Sequence, residues 1–171
     1  MKKIILFLIS ASVFNYAGGQ TYIAFNPSVT NTAGTLAEKA NLSLEVGRQW
    51  DVFSMGLDVG KTSLGKSDGV DTTKYFEIRP NLNIFQQGKF TNTFTAGIGV
   101  IFNAEENLMT ELSSGIEYAY SDQLHFNILF GQYYYSGKFT ASTVTFFGIT
   151  VMRYFTPTKN KKEKALINGK P

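Results

Sequence analysis

The chain has 171 residues, 43% of them hydrophobic, with 15 Phe, 9 Tyr, 1 Trp and 16 Gly; that length suits one domain, and the wealth of rings and glycine suits an all-β architecture or a membrane barrel with aromatic girdles. It contains no cysteine, which excludes disulfides, a Cys-bound zinc, a thiol nucleophile and a lipidated cysteine. The net charge of +3 sits at the ends of the chain, and residues 20–155 alone carry −3, so a nucleic-acid role loses its electrostatic footing.

Lys2 and Lys3, the apolar run from Ile4 to Ile9, and the small residues Ala17, Gly18 and Gly19 follow the order of a secretory signal. Residues 1–19 are therefore expected to be a signal peptide, cleaved near residues 17–19. Beyond them no stretch reaches the roughly 20 apolar residues that a spanning helix needs.

What recurs instead is alternation with a period of two. After a less regular first strand around Gln20 to Val29, the segment from Ala40 to Gly47 places Ala40, Leu42, Leu44 and Val46 on one face, and Asn41, Ser43, Glu45 and Gly47 on the other. The pattern continues with Phe53, Met55, Leu57 and Val59 against Ser54, Gly56, Asp58 and Gly60. Next, Phe76, Ile78, Pro80, Leu82 and Ile84 oppose Glu77, Arg79, Asn81 and Asn83. Phe94, Ala96, Ile98, Val100 and Phe102 then oppose Thr93, Thr95, Gly97 and Gly99, and Leu112, Ile116, Tyr118 and Tyr120 oppose Glu111, Ser113, Gly115 and Glu117. Leu124, Phe126, Ile128 and Phe130 oppose His125, Asn127 and Gly131; last, Phe147, Ile149, Val151 and Phe155 oppose Gly148 and Thr150. The count is eight strands. After Phe155 the periodicity stops, and residues 156–171, rich in lysine, read as a flexible basic tail on the periplasmic side.

Glycine gives an independent check, because the faces were defined by apolar residues. Gly47, Gly56, Gly60, Gly97, Gly99, Gly115, Gly131 and Gly148 all share the polar face, as the narrow lumen of an eight-stranded antiparallel up-and-down barrel requires. Connections alternate too. Tight turns are expected at residues 49–51, 86–89 and 121–123, and longer loops at 30–38, 61–73, 103–107 and 136–142, the asymmetry of a transmembrane β-barrel with short periplasmic turns.

Alternation alone does not say which face is inside. Glu45, Asp58, Glu77, Arg79, Glu111 and Glu117 all fall on the polar face, where they are expected to form a hydrogen-bonded network in a filled lumen, with the apolar face toward lipid. The reverse arrangement is a secreted lipocalin-like carrier of an apolar ligand.

Over residues 20–155 the chain resembles the small outer-membrane barrel families of the OmpX and OmpA transmembrane type, and more closely the compact barrel-domain proteins of Bacteroidota. Its most specific stretch runs from Phe147 to Phe155, which looks like the assembly signal of such proteins, with Val151, Arg153 and Phe155 on the outward face. The family usually ends at that aromatic, whereas this chain continues. The resemblance implies outer-membrane lipid and the barrel-assembly machinery as partners, and the cell outer membrane as location.

Candidate chemistry is sparse. His125 is the only histidine, but His125-Phe126-Asn127 places Asn where the nucleophile of a His-x-Ser lipid A deacylase would stand. Glu111 and Glu117 share a face roughly 20 Å apart at about 3.3 Å per residue, too far for paired-carboxylate hydrolysis. Gly97-x-Gly99 lacks the helix of a dinucleotide fold, and Asp68, Gly69 and Asp71 do not follow a calcium-loop spacing. Asn41-Leu42-Ser43 matches a glycosylation site only formally, since it lies within a strand. No catalytic residue, metal or cofactor is expected. Tyr133 and Tyr135, with Lys138, stand near the outer strand ends as a candidate surface contact for an extracellular partner. The expected function is a non-enzymatic outer-membrane barrel with a structural or surface-interaction role, the alternatives being a lipid-modifying barrel enzyme and the lipocalin-like carrier.

Overall fold

The computed structural model describes residues 19–32, 35–62, 73–102, 107–136 and 142–155. They form β1 (Gln20–Thr32), β2 (Thr35–Trp50), β3 (Phe53–Thr62), β4 (Thr73–Gln87), β5 (Phe90–Phe102), β6 (Asn107–Ala119), β7 (Leu124–Ser136) and β8 (Ser142–Phe155). Each strand pairs antiparallel with the next, and β8 returns to β1 through pairs such as Thr21 with Phe155 and Val29 with Phe147. The sheet closes on itself, so every strand has a partner on both sides. That is the arrangement that satisfies strand backbones in a medium without water. A strand of 13 residues such as β5 runs about 40 Å, or roughly 30 Å along the axis at a tilt near 40°, enough to cross the hydrocarbon of a bilayer.

One end of the barrel is closed by tight turns. Trp50 pairs with Phe53 and Gln87 with Phe90, leaving two-residue connections. The first residue of each takes a left-handed conformation, Asp51 at φ 49° and Gly88 at φ 61°, as two-residue hairpins demand. Between β6 and β7, the Ser121 hydroxyl accepts hydrogen bonds from the amides of Gln123 (3.3 Å) and Leu124 (3.0 Å). At the opposite end, residues 63–72, 103–106 and 137–141 join the strands. The expected loop at 30–38 is corrected. β1 continues to Thr32 and β2 begins at Thr35, with Thr32 paired to Thr35 across an irregularity after Thr30. The polar run Thr30-Asn31-Thr32 reads locally as loop, but barrel strands extend past the apolar belt wherever a neighbour supplies backbone partners.

The apolar face is outside. Leu44, Ile98, Ile116 (55% exposed), Ile128, Phe130 (61% exposed) and Ile149 all stand on the surface, and a continuous belt of such residues has lipid as its natural solvent. This outward orientation removes the lipocalin arrangement. Rings cluster at the turn end of the belt, where Trp50 stacks on Phe53 at 6.0 Å and Phe90 meets Tyr118 at 5.1 Å, with the Lys89 ammonium 5.9 Å from the Tyr118 ring. Such rings suit a membrane interface. Of the expected signal peptide at 1–19, residues 1–18 lie outside the described residues, as does the expected tail at 156–171.

Candidate functional site

Among the described residues, polar and titratable side chains converge in the interior, which has three layers. Because β-strand parity is strict, the residues on the glycine face of all eight strands point inward. Small residues there make room for large ones. A Cβ at Gly47 would strike the Tyr22 ring, one at Gly56 would strike the Glu45 carboxylate, and one at Gly97 would strike Glu77 and then Glu111 at 3.1 Å.

The middle layer is built around Arg79 on β4, 6% exposed. Its Nη1 donates to Glu45 Oε2 of β2 at 2.7 Å, and its Nη2 donates to Glu111 Oε1 of β6 at 2.9 Å. Each carboxylate is held further: the Tyr22 hydroxyl donates to Glu45 Oε1 at 2.5 Å, and the Ser113 hydroxyl donates to Glu111 Oε1 at 2.6 Å. The Asn26 amide bridges Glu45 (3.3 Å) and Asp58 (3.2 Å), and the Tyr75 hydroxyl donates to Asp58 at 2.6 Å. Glu77 is fully buried in the same layer. Five of the six residues singled out for a lumen network, Glu45, Asp58, Glu77, Arg79 and Glu111, therefore lie together. The sixth, Glu117, lies apart at the turn end.

There Glu117 Oε1 is 2.6 Å from His125 Nδ1, and the imidazole packs on the Tyr154 ring at 4.6 Å. Tyr154 in turn meets Tyr22 at 5.5 Å. The arrangement pairs the single histidine with a carboxylate partner. The hydroxyl of nearby Ser121 accepts the two amide hydrogen bonds of its own turn.

At the loop end the interior turns apolar. Tyr75, Ile101, Met109, Leu129, Tyr133, Tyr135, Val144 and Phe146 form one buried cluster, in which Tyr133 stacks on Phe146 at 4.3 Å and 18°. This corrects the surface-contact assignment: Tyr133 and Tyr135 are 7% and 5% exposed and point into the barrel. The neighbouring rings of Tyr134 and Phe147 face outward, and Lys138 lies outside the described residues. Parity already carried the signal, since Tyr133 and Tyr135 are in phase with Gly131, and Phe146 with Gly148. Val151, Arg153 and Phe155, the positions expected to belong to an assembly signal, are all on the outer wall, with Arg153 exposed near the turn end.

Among the described residues the interior spaces are small beside Glu45 and Arg79, about 20 Å³, and beside Asp58 and Tyr133, about 10 Å³. Each is on the scale of one water molecule. Among the described residues, no three His, Asp or Glu side chains gather as a metal cage requires.

No family model matches the chain, and no curated protein matches it. Solved structures do. Neisserial surface protein A aligns with a TM-score of 0.59 at 9% identity, covering 81% of this chain and 97% of its own. Outer membrane protein H (OprH) of P. aeruginosa gives 0.59 at 9% identity, covering 80% and 99%. The fold is that of a small eight-stranded outer-membrane β-barrel. A de novo designed transmembrane β-barrel matches as well, at 0.54 and 12% identity over 80% of this chain and 96% of its own. At such identities the likeness is one of fold, and a designed neighbour makes plain that this architecture does not itself specify a task.

Proposed function

We propose that the protein is a non-enzymatic barrel of the bacterial outer membrane, with a structural or surface-interaction role in the cell envelope. The observation that carries this reading is the inversion of the barrel: apolar side chains on the outside and, among the described residues, an inside filled by a charged, hydrogen-bonded layer and an apolar cluster, with spaces of about 20 Å³ and about 10 Å³ beside that layer. A filled lumen offers neither a channel nor a substrate pocket. The tight turns and both ends of the barrel chain belong on the periplasmic side, and residues 63–72, 103–106 and 137–141 on the outside. Partners in this reading are outer-membrane lipid, the barrel-assembly machinery acting on the final strand, and an extracellular partner engaging the loops.

The test joins location to orientation. An epitope inserted within residues 63–72 of the full chain is expected to be reached by antibody on intact cells, while the membrane-fraction protein migrates differently in gels before and after boiling. Recovery in the soluble fraction, or an epitope reached only after the outer membrane is opened, would overturn the reading.

A further inference from the structure

One patch of the outer wall does not fit a purely apolar belt. Lys61 on β3 and Lys74 on β4 are directly opposite each other, and both point outward. Like charges directly opposite destabilise a sheet pair. Among the described residues neither lysine has an acidic partner. Register places the pair one step from the end of both strands, since the next pair is Thr62 with Thr73. On the other side lie the apolar pairs Val59 with Phe76 and Leu57 with Ile78. Phe102 of β5 pairs with Lys74, and Leu42 of β2 with Lys61, so the two ammonium groups are flanked by apolar side chains along the wall.

An open groove of about 510 Å³ lies beside them, lined by Val59, Gly60, Lys61, Lys74, Tyr75, Phe76 and Phe102. The groove is therefore apolar along its length and doubly cationic at its loop end. In a bilayer that end falls at the headgroup level, where long lysine stems snorkel.

We infer that this groove holds an anionic lipid of the loop-side leaflet, its phosphate clamped between Lys61 and Lys74 and an acyl chain laid over Val59, Phe76 and Phe102. The charge complementarity resolves the lysine repulsion, and the apolar floor selects a lipid over a free phosphate ion. The inference rests on the membrane-barrel reading above and adds a ligand to it.

The test folds the full chain into phosphatidylcholine vesicles doped with phosphatidic acid, extracts it in mild detergent, and counts retained lipids by native mass spectrometry. Wild type retains phosphatidic acid in preference to phosphatidylcholine. The pair Lys61→Gln with Lys74→Gln lowers that retention about thirtyfold, and each single variant about fivefold, given the size of lysine–headgroup attraction at a membrane surface. Lys89→Gln, at the opposite end, leaves it unchanged. Equal retention by wild type and the double variant, or no preference for phosphatidic acid in wild type, overturns the site. Gel mobility before and after boiling reports the barrel separately: a wild-type chain that shows no folded band overturns the membrane reading itself. The single variants keep the test decisive if the double variant does not fold.

Discussion

The middle and the loop end of the lumen are filled by opposite means. Around Arg79 the strands are held by ion pairs and hydrogen bonds that reach across the interior, from Glu45 on β2 to Glu111 on β6. Around Phe146 the same interior is filled by stacked rings and aliphatic side chains. The difference teaches how an eight-stranded barrel can be closed without a hydrophobic core in its centre. Polar links tie distant strands where the wall is surrounded by lipid, and an apolar plug excludes water where the barrel meets its loops.

The largest expected effect breaks the polar half of this contrast. Arg79→Leu leaves Glu45 and Glu111 buried with no cation between them, and a buried charge stripped of its partner costs about 3–5 kcal/mol. Urea unfolding from lipid micelles, followed by the fluorescence of Trp50, should register that loss; a change under about 1 kcal/mol would mean that water serves the carboxylates as well as Arg79 does. Phe146→Ala tests the apolar half. Removing a buried ring that stacks on Tyr133 at 4.3 Å should cost about 3 kcal/mol, toward the low end for buried aromatic truncations because the loop end can relax around the void. If Phe146→Ala proved nearly silent, the cluster would be a cover rather than a plug.

His125→Phe is smaller and sharpens the boundary between layers. The ring still packs on Tyr154, but Glu117 loses its 2.6 Å partner. With the imidazole side chain 18% exposed at the turn-end mouth, water takes over part of the lost bond, and the expected cost is about 1 kcal/mol by the same unfolding measurement.

How much of this was legible in the sequence follows from parity and its misuse. The wall was legible throughout, because every strand carries at least three outward apolar residues in phase, and glycine marked the inner face without reference to them. The middle layer was legible as a set of acids facing one arginine. The loop-end cluster was not, because Tyr133, Tyr135 and Phe146 are the residue types expected in an aromatic girdle, so that residue type points outward there and phase inward. Their phase with Gly131 and Gly148 points inward. Which acid meets which base also stays hidden in a single sequence, since Arg79 reaches two strands that are not its neighbours in the sheet. That reach is set by the width of the closed barrel. The extension of β1 to Thr32 was hidden for a related reason: the pairing that holds it comes from β2 and β8, not from any local preference of Thr30-Asn31-Thr32.

The last contrast concerns two glycines that the chain needs for different physical reasons. Gly97 has an ordinary backbone but no room, since an added Cβ would collide with Glu77 and press on Glu111. Gly88 has open space around it but sits at φ 61°. Alanine at Gly97 should therefore displace the carboxylates of the middle layer and cost about 1–3 kcal/mol as overpacking. Alanine at Gly88 meets nothing, so it should cost only the left-handed backbone penalty of about 1 kcal/mol. Asparagine separates the two causes. At Gly88 it tolerates the left-handed conformation and should recover most of the alanine loss, whereas at Gly97 its larger side chain should deepen the loss. If asparagine at Gly97 were as mild as at Gly88, the inner wall would have slack at the level of Glu77, and the tightness of the polar layer would not be what selects glycine there.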